Sequence, residues 1–200
     1  KLIREDNSSF LKKNGSDITT NLTFEKNLGL GTSSTLISNL SKISGVNPYN
    51  LNSKIFKGSG YDIACAENIS PILYRINKDQ KIVKKVSFKP SFHEYIYFVY
   101  LNKKQNSFSE IKRYNKNEAS NSIINEISNI TSEILVCKSI DEFNKLIDAH
   151  ELIISKLISK QTTKDVLFKD FDGSLKSLGA WGGDMIMVTS KIDPSKYFIE

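Results

Sequence analysis

The run Gly29-Leu30-Gly31-Thr32-Ser33-Ser34 constrains this chain more than any other feature. Before it, residues 18–25 alternate, with Ile18, Thr20, Leu22 and Phe24 on one side, the pattern of a half-buried strand. A turn through Lys26, Asn27 and Leu28 leads into it. After it, residues 33–44 place Leu36, Ile37, Leu40 and Ile43 at helical spacing on one face. Two glycines at a strand-to-helix junction free the backbone from the limits a Cβ imposes. The amides that follow open a helix, where the dipole favours negative charge. The hydroxyls of Thr32, Ser33 and Ser34 can cap that helix or meet a phosphate and a metal ion. No Gly-Lys-Ser/Thr follows, so this is not a Walker loop. Taken alone, a glycine turn with a Ser/Thr cap explains the run equally well.

Further signals continue the pattern. Gly45 stops the first helix, and Asn47-Pro48 starts a second with proline in its first turn. Leu51, Ile55 and Phe56 form its expected buried side. Gly58-Ser59-Gly60 breaks it. Residues 63–65 and 72–76 read as strands around a turn at Asn68-Ile69-Ser70-Pro71. A boundary near Lys89-Pro90-Ser91 divides the chain into segments 1–89 and 90–200. Past it, residues 95–101 form an apolar aromatic strand, followed by a polar loop over 102–107. Two helical faces follow: Ile123, Ile124, Ile127, Ile130, Ile134 and Leu135, then Phe143, Leu146, Ile147, His150, Ile154, Leu157 and Ile158. Residues 175–178 enter a glycine turn, and residues 185–189 leave it as a strand. The second half is therefore expected to be α+β. The chain begins at Lys1 and stops at Tyr197-Phe198-Ile199-Glu200, which reads as an unfinished strand, so a segment of a longer protein is expected.

Two more glycine loops carry polar groups. In Gly58-Ser59-Gly60-Tyr61-Asp62, an acid opens an apolar run. A carboxylate there can orient a substrate hydroxyl or pair with a catalytic lysine; the plainer reading is a turn aspartate bonded to its own backbone. In Gly179-Ala180-Trp181-Gly182-Gly183-Asp184, the glycine density marks unusual backbone angles or close approach to a ligand, or simply a tight hairpin turn. His150, beside Glu151, reads as a structural histidine. No Ser/His/Asp, Cys/His or zinc arrangement emerges.

The net charge of +6 suits an anionic partner. Yet the basic residues are scattered through a chain rich in Lys, Asn and Ile, with no basic stripe interleaved with aromatics, so no nucleic-acid partner is expected. Cys65 and Cys137 stand far apart without metal-ligand neighbours, which fits unpaired thiols in a reducing, cytoplasmic compartment. No apolar run approaches a membrane span, and no membrane partner is expected. Oligomeric state is not readable.

Together and in this order, the three loops resemble the GHMP superfamily of small-molecule kinases. Residues 29–34 are similar to its second motif, residues 179–184 to its third, and residues 58–62 to the segment holding its catalytic aspartate. The string Gly58-Ser59-Gly60-Tyr61-Asp62-Ile63-Ala64 resembles a bacterial branch of uncharacterised GHMP kinases known by GYDIA. The resemblance implies an α+β two-domain fold, with an N-terminal β-α-β phosphate-loop domain lacking its first strands and a C-terminal ferredoxin-like domain. It implies ATP and Mg²⁺ as cofactors, with Gly29, Leu30, Gly31, Thr32, Ser33 and Ser34 holding phosphates and Ser33 near the metal. Asp62 would be the catalytic acid-base residue. Ser59, Gly60, Gly179, Ala180, Gly182, Gly183 and Asp184 would shape the side of a small-molecule phosphoryl acceptor. Three departures stand out. The family's N-terminal motif with its basic residue is absent. Residues 47–57 contain no metal-binding glutamate of the mevalonate-kinase kind. Trp181 replaces a glycine. The missing glutamate and Asp184 resemble phosphomevalonate kinases more than mevalonate kinases, which implies isoprenoid precursor synthesis; homoserine or a sugar as acceptor, or nucleotide binding without catalysis, are the alternatives.

Overall fold

Helix stops and starts written into the sequence organise the first half of the chain. Gly45 ends a helix in the left-handed conformation at φ 69°, and its N–H closes on the Ser41 carbonyl. Two residues later the Asn47 side chain caps the next helix, accepting from Tyr49 and Asn50 N–H, with Pro48 in the first turn. The computed structural model describes residues 1–26, 28–56, 58–78, 80–102, 119–179, 181 and 184–199. It divides into two units, Lys1–Ser87 and Phe88–Glu200. Asn27, residues 103–107 of the polar loop, Ala180, Gly182 and Gly183 lie outside the described residues.

The first unit holds α1 (Leu2–Asp6), α2 (Thr32–Ser44), α3 (Pro48–Ile55) and α4 (Tyr61–Ala66), then a hairpin of β1 (Ile72–Asn77) and β2 (Gln80–Lys85). The hairpin is antiparallel, with Ile72 opposite Lys85 and Asn77 opposite Gln80. Its core gathers Ile37, Val46, Leu51 and Ile63. Lys54 ties α3 to Glu5 and Asp6, at the end of α1.

Three expectations are corrected here. Residues 18–25 form no strand; Ile18 and Leu22 are exposed, because a strand needs a ladder partner and no described strand pairs with them. Residues 63–65 lie in α4, not a strand: left-handed Gly60 launches a helical turn whose Ile63 and Ala64 are fully buried. The buried face of α2 is only half as expected: Ile37 and Leu40 pack on the core, but Ser34, Ser38, Ser41 and Ser44 are buried beside them, while Leu36 and Ile43 remain 46% and 52% exposed. Small serines let α2 lie close to α3 and α4, and three of the four serine hydroxyls are satisfied locally or by Glu67.

The second unit begins with a short turn, His93–Tyr95, and runs through β3 (Ile96–Tyr100), α5 (Asn121–Ile134), α6 (Ile140–Leu157), α7 (Thr163–Leu167), β4 (Leu175–Ser177), β5 (Met185–Thr189) and α8 (Ser195–Ile199). Its sheet is antiparallel in the order β3-β5-β4. Alternation along β5 splits the core. Met187 and Ile96 pack with Phe92, Phe143 and Ile147. Ile186 and Val188 pack with Leu175 and Phe171 under Phe168, Tyr197 and Phe198. α6 starts with a side-chain cap: Ser139 Oγ accepts from Glu142 N–H, and the Glu142 carboxylate reaches back to accept from Lys138 N–H, one residue before the cap. The chain's end is also corrected. Residues 195–199 are helical, not an unfinished strand, because Asp193 accepts from Ser195 N–H just after Pro194 fixes the entry. The described chain is mixed α+β. Among the described residues, no helix is long and apolar enough to cross a membrane.

Gly173 precedes β4, where an added Cβ would lie 2.1 Å from the Thr189 carbonyl oxygen and 2.7 Å from the Phe171 ring. Gly173→Ala is expected to destabilise the second unit by roughly 1–3 kcal/mol. Urea unfolding followed by Trp181, the sole tryptophan, reads it; an unchanged midpoint would refute the packing.

Candidate functional site

Gly29 and Gly31 both have left-handed backbones, with φ of 70° and 75°, and Gly31 is the residue from which α2 starts. A helix N-cap ordinarily lies in the β region and offers a side-chain oxygen to the first-turn amides. Gly31 has none, and no side chain among the described residues caps α2. Its carbonyl is instead crowded with donors: Thr35 N–H at 3.0 Å, Ser34 Oγ at 2.8 Å and Thr35 Oγ1 at 2.9 Å. Ser34 therefore faces inward, while Ser33 is exposed. The first-turn amides, which no helix can satisfy internally, are left to solvent or a ligand. A Cβ at Gly31 would stand 3.0 Å from Ser34 Oγ.

The Asp62 loop is pinned from two directions. Ser59 Oγ accepts from Tyr61 N–H at 3.3 Å, and the Ser59 carbonyl accepts the Tyr74 hydroxyl of β1 at 2.7 Å. Gly60, at φ 83°, is buried; a Cβ there would meet Tyr49 at 3.1 Å and Lys81 Cε at 3.4 Å. Asp62 thus sits in the first turn of α4, not at the head of a strand. The residue as a whole is exposed, yet its carboxyl loses enough water that desolvation raises its pKa, opposed by a hydrogen bond from the Tyr61 hydroxyl. Burial and the Asp62 charge in turn push Tyr61 up. Cys65, one turn on, is raised by burial and by the same charge. No cation among the described residues contributes to the Asp62 shift.

The two motifs share the first unit and ride on helices that touch. The Ser38 hydroxyl of α2 donates to Glu67, just after α4, and Lys42 stands 3.7 Å from the same carboxylate oxygen. Among the described residues, no hydrogen bond or ion pair joins Asp62 itself to residues 29–34. The third loop belongs to the second unit, where it connects β4 to β5; Leu178 N–H donates to the Met185 carbonyl. Gly179 and Trp181 there have positive φ, and the Asp184 carbonyl accepts from Leu101 N–H.

Two clusters escaped sequence reading. In the second unit, Glu151 is 8% exposed and takes the core position one turn after Ile147. Its carboxylate accepts Ser177 N–H at 3.1 Å and Lys176 Nζ at 3.3 Å, and His150 Nδ1 stands 3.0 Å from the same ammonium. Burial pushes the Glu151 pKa up, but His150, Lys176 and Ser177 outweigh it and hold the group below its usual range. Lys176 loses more hydration than one carboxylate returns, so its pKa falls. An acid at a helical core spacing was the available signal. The other cluster is the basic hairpin β1–β2; residues 80–85 alternate too weakly to announce a strand.

No protein-family model matches the chain, and no curated protein or solved structure matches it either.

The two acids call for opposite behaviour. Asp62 binds its proton more readily folded than unfolded, so its contribution is favourable at acid pH and is lost as pH rises through its raised pKa. Asp62→Asn is therefore expected to be at least as stable as the native chain at pH 7, with the gap closing at acid pH. Glu151 is the reverse: its stabilisation is present above the ordinary glutamate pKa and lost as pH falls through the depressed one. Glu151→Gln is expected to destabilise the second unit by about 2 kcal/mol at neutral pH and less at acid pH. Thermal melts across pH check both; a destabilised Asp62→Asn or a pH-independent Glu151 effect contradicts the assignment.

Proposed function

We propose that the chain carries the core of an ATP-dependent small-molecule kinase with the GHMP fold, in two domains, the second ferredoxin-like. The observation that carries this is the pair of left-handed glycines feeding an uncapped, thirteen-residue helix. Such a start leaves several amides and the positive end of a helix dipole for a phosphate group. The exposed Ser33 hydroxyl is the side chain available beside them, whereas Ser34 is engaged with Gly31. Residues 29–34 fit a nucleotide's phosphates in this sense. Among the described residues no group of three His, Cys, Asp or Glu side chains could hold a metal ion. Mg²⁺ would accordingly be bound chiefly by the nucleotide, with Ser33 beside it, and would neutralise phosphate charge.

Asp62 is the acid-base candidate. Its raised pKa brings it nearer the range where a carboxylate accepts a proton from an acceptor hydroxyl. For an acceptor that is itself a phosphate, no proton need be removed, and alignment with charge neutralisation does the work. The resemblance favours phosphomevalonate, then mevalonate, with homoserine or a sugar as alternatives, and a cytoplasmic setting. A second reading, nucleotide binding without phosphoryl transfer, draws on one observation: no described cation influences Asp62.

MgATP binding by calorimetry and turnover with mevalonate, phosphomevalonate, homoserine and sugars test this on the intact protein. Gly31→Val is expected to lose MgATP binding and to lower the unfolding midpoint of the first unit, since valine does not tolerate φ 75°. With a hydroxyl acceptor such as mevalonate, Asp62→Asn is expected to keep MgATP binding and lose turnover by about 10²- to 10⁴-fold. Undiminished turnover in Asp62→Asn would remove that role, and native protein that ignores MgATP would sink the kinase reading.

A further inference from the structure

The charge that looks scattered along the sequence is not evenly spread. Residues 72–85 carry Arg75, Lys78, Lys81, Lys84 and Lys85 against the single acid Asp79, so this short segment holds four of the chain's six net positive charges. Antiparallel pairing sets each strand cation opposite an uncharged residue, Lys85 opposite Ile72, Lys84 opposite Leu73, Arg75 opposite Ile82 and Lys81 opposite Ile76, so Lys81 and Lys85 share one face with Tyr74 while Arg75 and Lys84 share the other. All of β2 is exposed. None of the five cations forms an ion pair with another described residue. Each face thus carries two cations and no described acid, a positive field that favours an anion.

The ribbon is also fastened to the Asp62 loop. Tyr74 of β1 holds the Ser59 carbonyl. Lys81 of β2 lays its Cε 3.4 Å from where a Gly60 Cβ would be, and its ammonium sits 5.4 Å from the Tyr49 ring centroid. An aromatic face holds an ammonium weakly and leaves its three donors usable. Lys81 is thus positioned beside the loop without an ion pair to any described carboxylate.

We propose that the face of the β1–β2 hairpin carrying Tyr74, Lys81 and Lys85 is an anion-receiving surface, with Lys81 presenting its ammonium at the Ser59–Gly60 turn to a small ligand that carries clustered phosphate charges. This rests on the kinase reading for the identity of the neighbouring loop, but its binding readout does not need turnover. A compact ribbon tied to a loop favours a small polyphosphate over an extended polymer, which would need basic surface along its length.

The test titrates the intact protein by calorimetry with inorganic tripolyphosphate and, separately, with single-stranded oligonucleotides of increasing length. Lys85→Gln and Lys81→Gln are each expected to weaken tripolyphosphate binding by roughly fivefold or more and to flatten its salt dependence. Lys81→Arg should retain it, and a Lys12→Gln/Lys13→Gln control, exposed but outside the hairpin, should match the native protein. Circular dichroism confirms that the variants fold. Unchanged affinity in the hairpin variants overturns the proposal, as does oligonucleotide binding that tightens with length, which would mark a nucleic-acid surface. Tripolyphosphate bound through the hairpin by a protein that does not turn over MgATP would leave this inference standing and remove the kinase reading. Turnover with unaltered KM for every substrate in the hairpin variants would do the reverse.

Discussion

Two helices of the first unit start from residues that only glycine occupies comfortably. Gly31 and Gly60 both stand at positive φ where α2 and α4 begin. Neither offers a capping side chain, so the chain relies on packing rather than capping to hold these starts. Ser34 and Thr35 bond back to the Gly31 carbonyl, and Tyr49 and Lys81 close over Gly60. The small core of Ile37, Val46, Leu51 and Ile63 depends on those two turns, because they aim α2 and α4 at one another. The same turns leave first-turn amides of α2 outward and put Asp62 at the lip of its loop. Structural constraint and candidate chemistry share the same backbone angles.

The second unit is held differently. β5 is the central strand, and its alternation serves two apolar clusters at once. Between helix and sheet edge, a charged group stands in for an apolar one. Glu151 bridges α6 to β4 by accepting from the Ser177 backbone and from Lys176. Such a knot adds less than its contacts suggest, since both charges give up hydration, but losing one partner is costly. It also fixes which turn of α6 meets β4, because only one register offers Glu151 its donors.

Much of this was legible beforehand where a local rule decides. The Gly45 stop, the Asn47-Pro48 start and the strands over 96–100 and 185–189 follow from backbone freedom, capping and apolar runs. The mistaken strands have one cause. Alternation over 18–25 and apolar residues at 63–65 describe what a strand looks like, not whether a neighbour exists to pair with it. The face of α2 was misjudged because hydrophobicity ranked Leu36 and Ile43 above the serines, whereas close helix approach selected small residues. Within the candidate site, the glycine positions and Asp62 could be read from composition and spacing. The grip of Tyr74, Tyr49 and Lys81 on the Asp62 loop could not, since those residues lie on another helix and on a hairpin that the pattern only half revealed.

The sequence by itself determined where the backbone must turn, where α2 ends and α3 begins, and which residues can carry charge at those turns, because φ limits, capping and side-chain titration are properties of a few neighbouring residues. Only the tertiary structure decided that Asp62 heads a helix and not a strand, that serines take the inside of α2 in place of Leu36 and Ile43, that Glu151 is buried with Lys176, and that the basic hairpin closes on Gly60. Those outcomes turn on which surfaces meet and lose water together, and that is settled by contacts between distant parts of the chain.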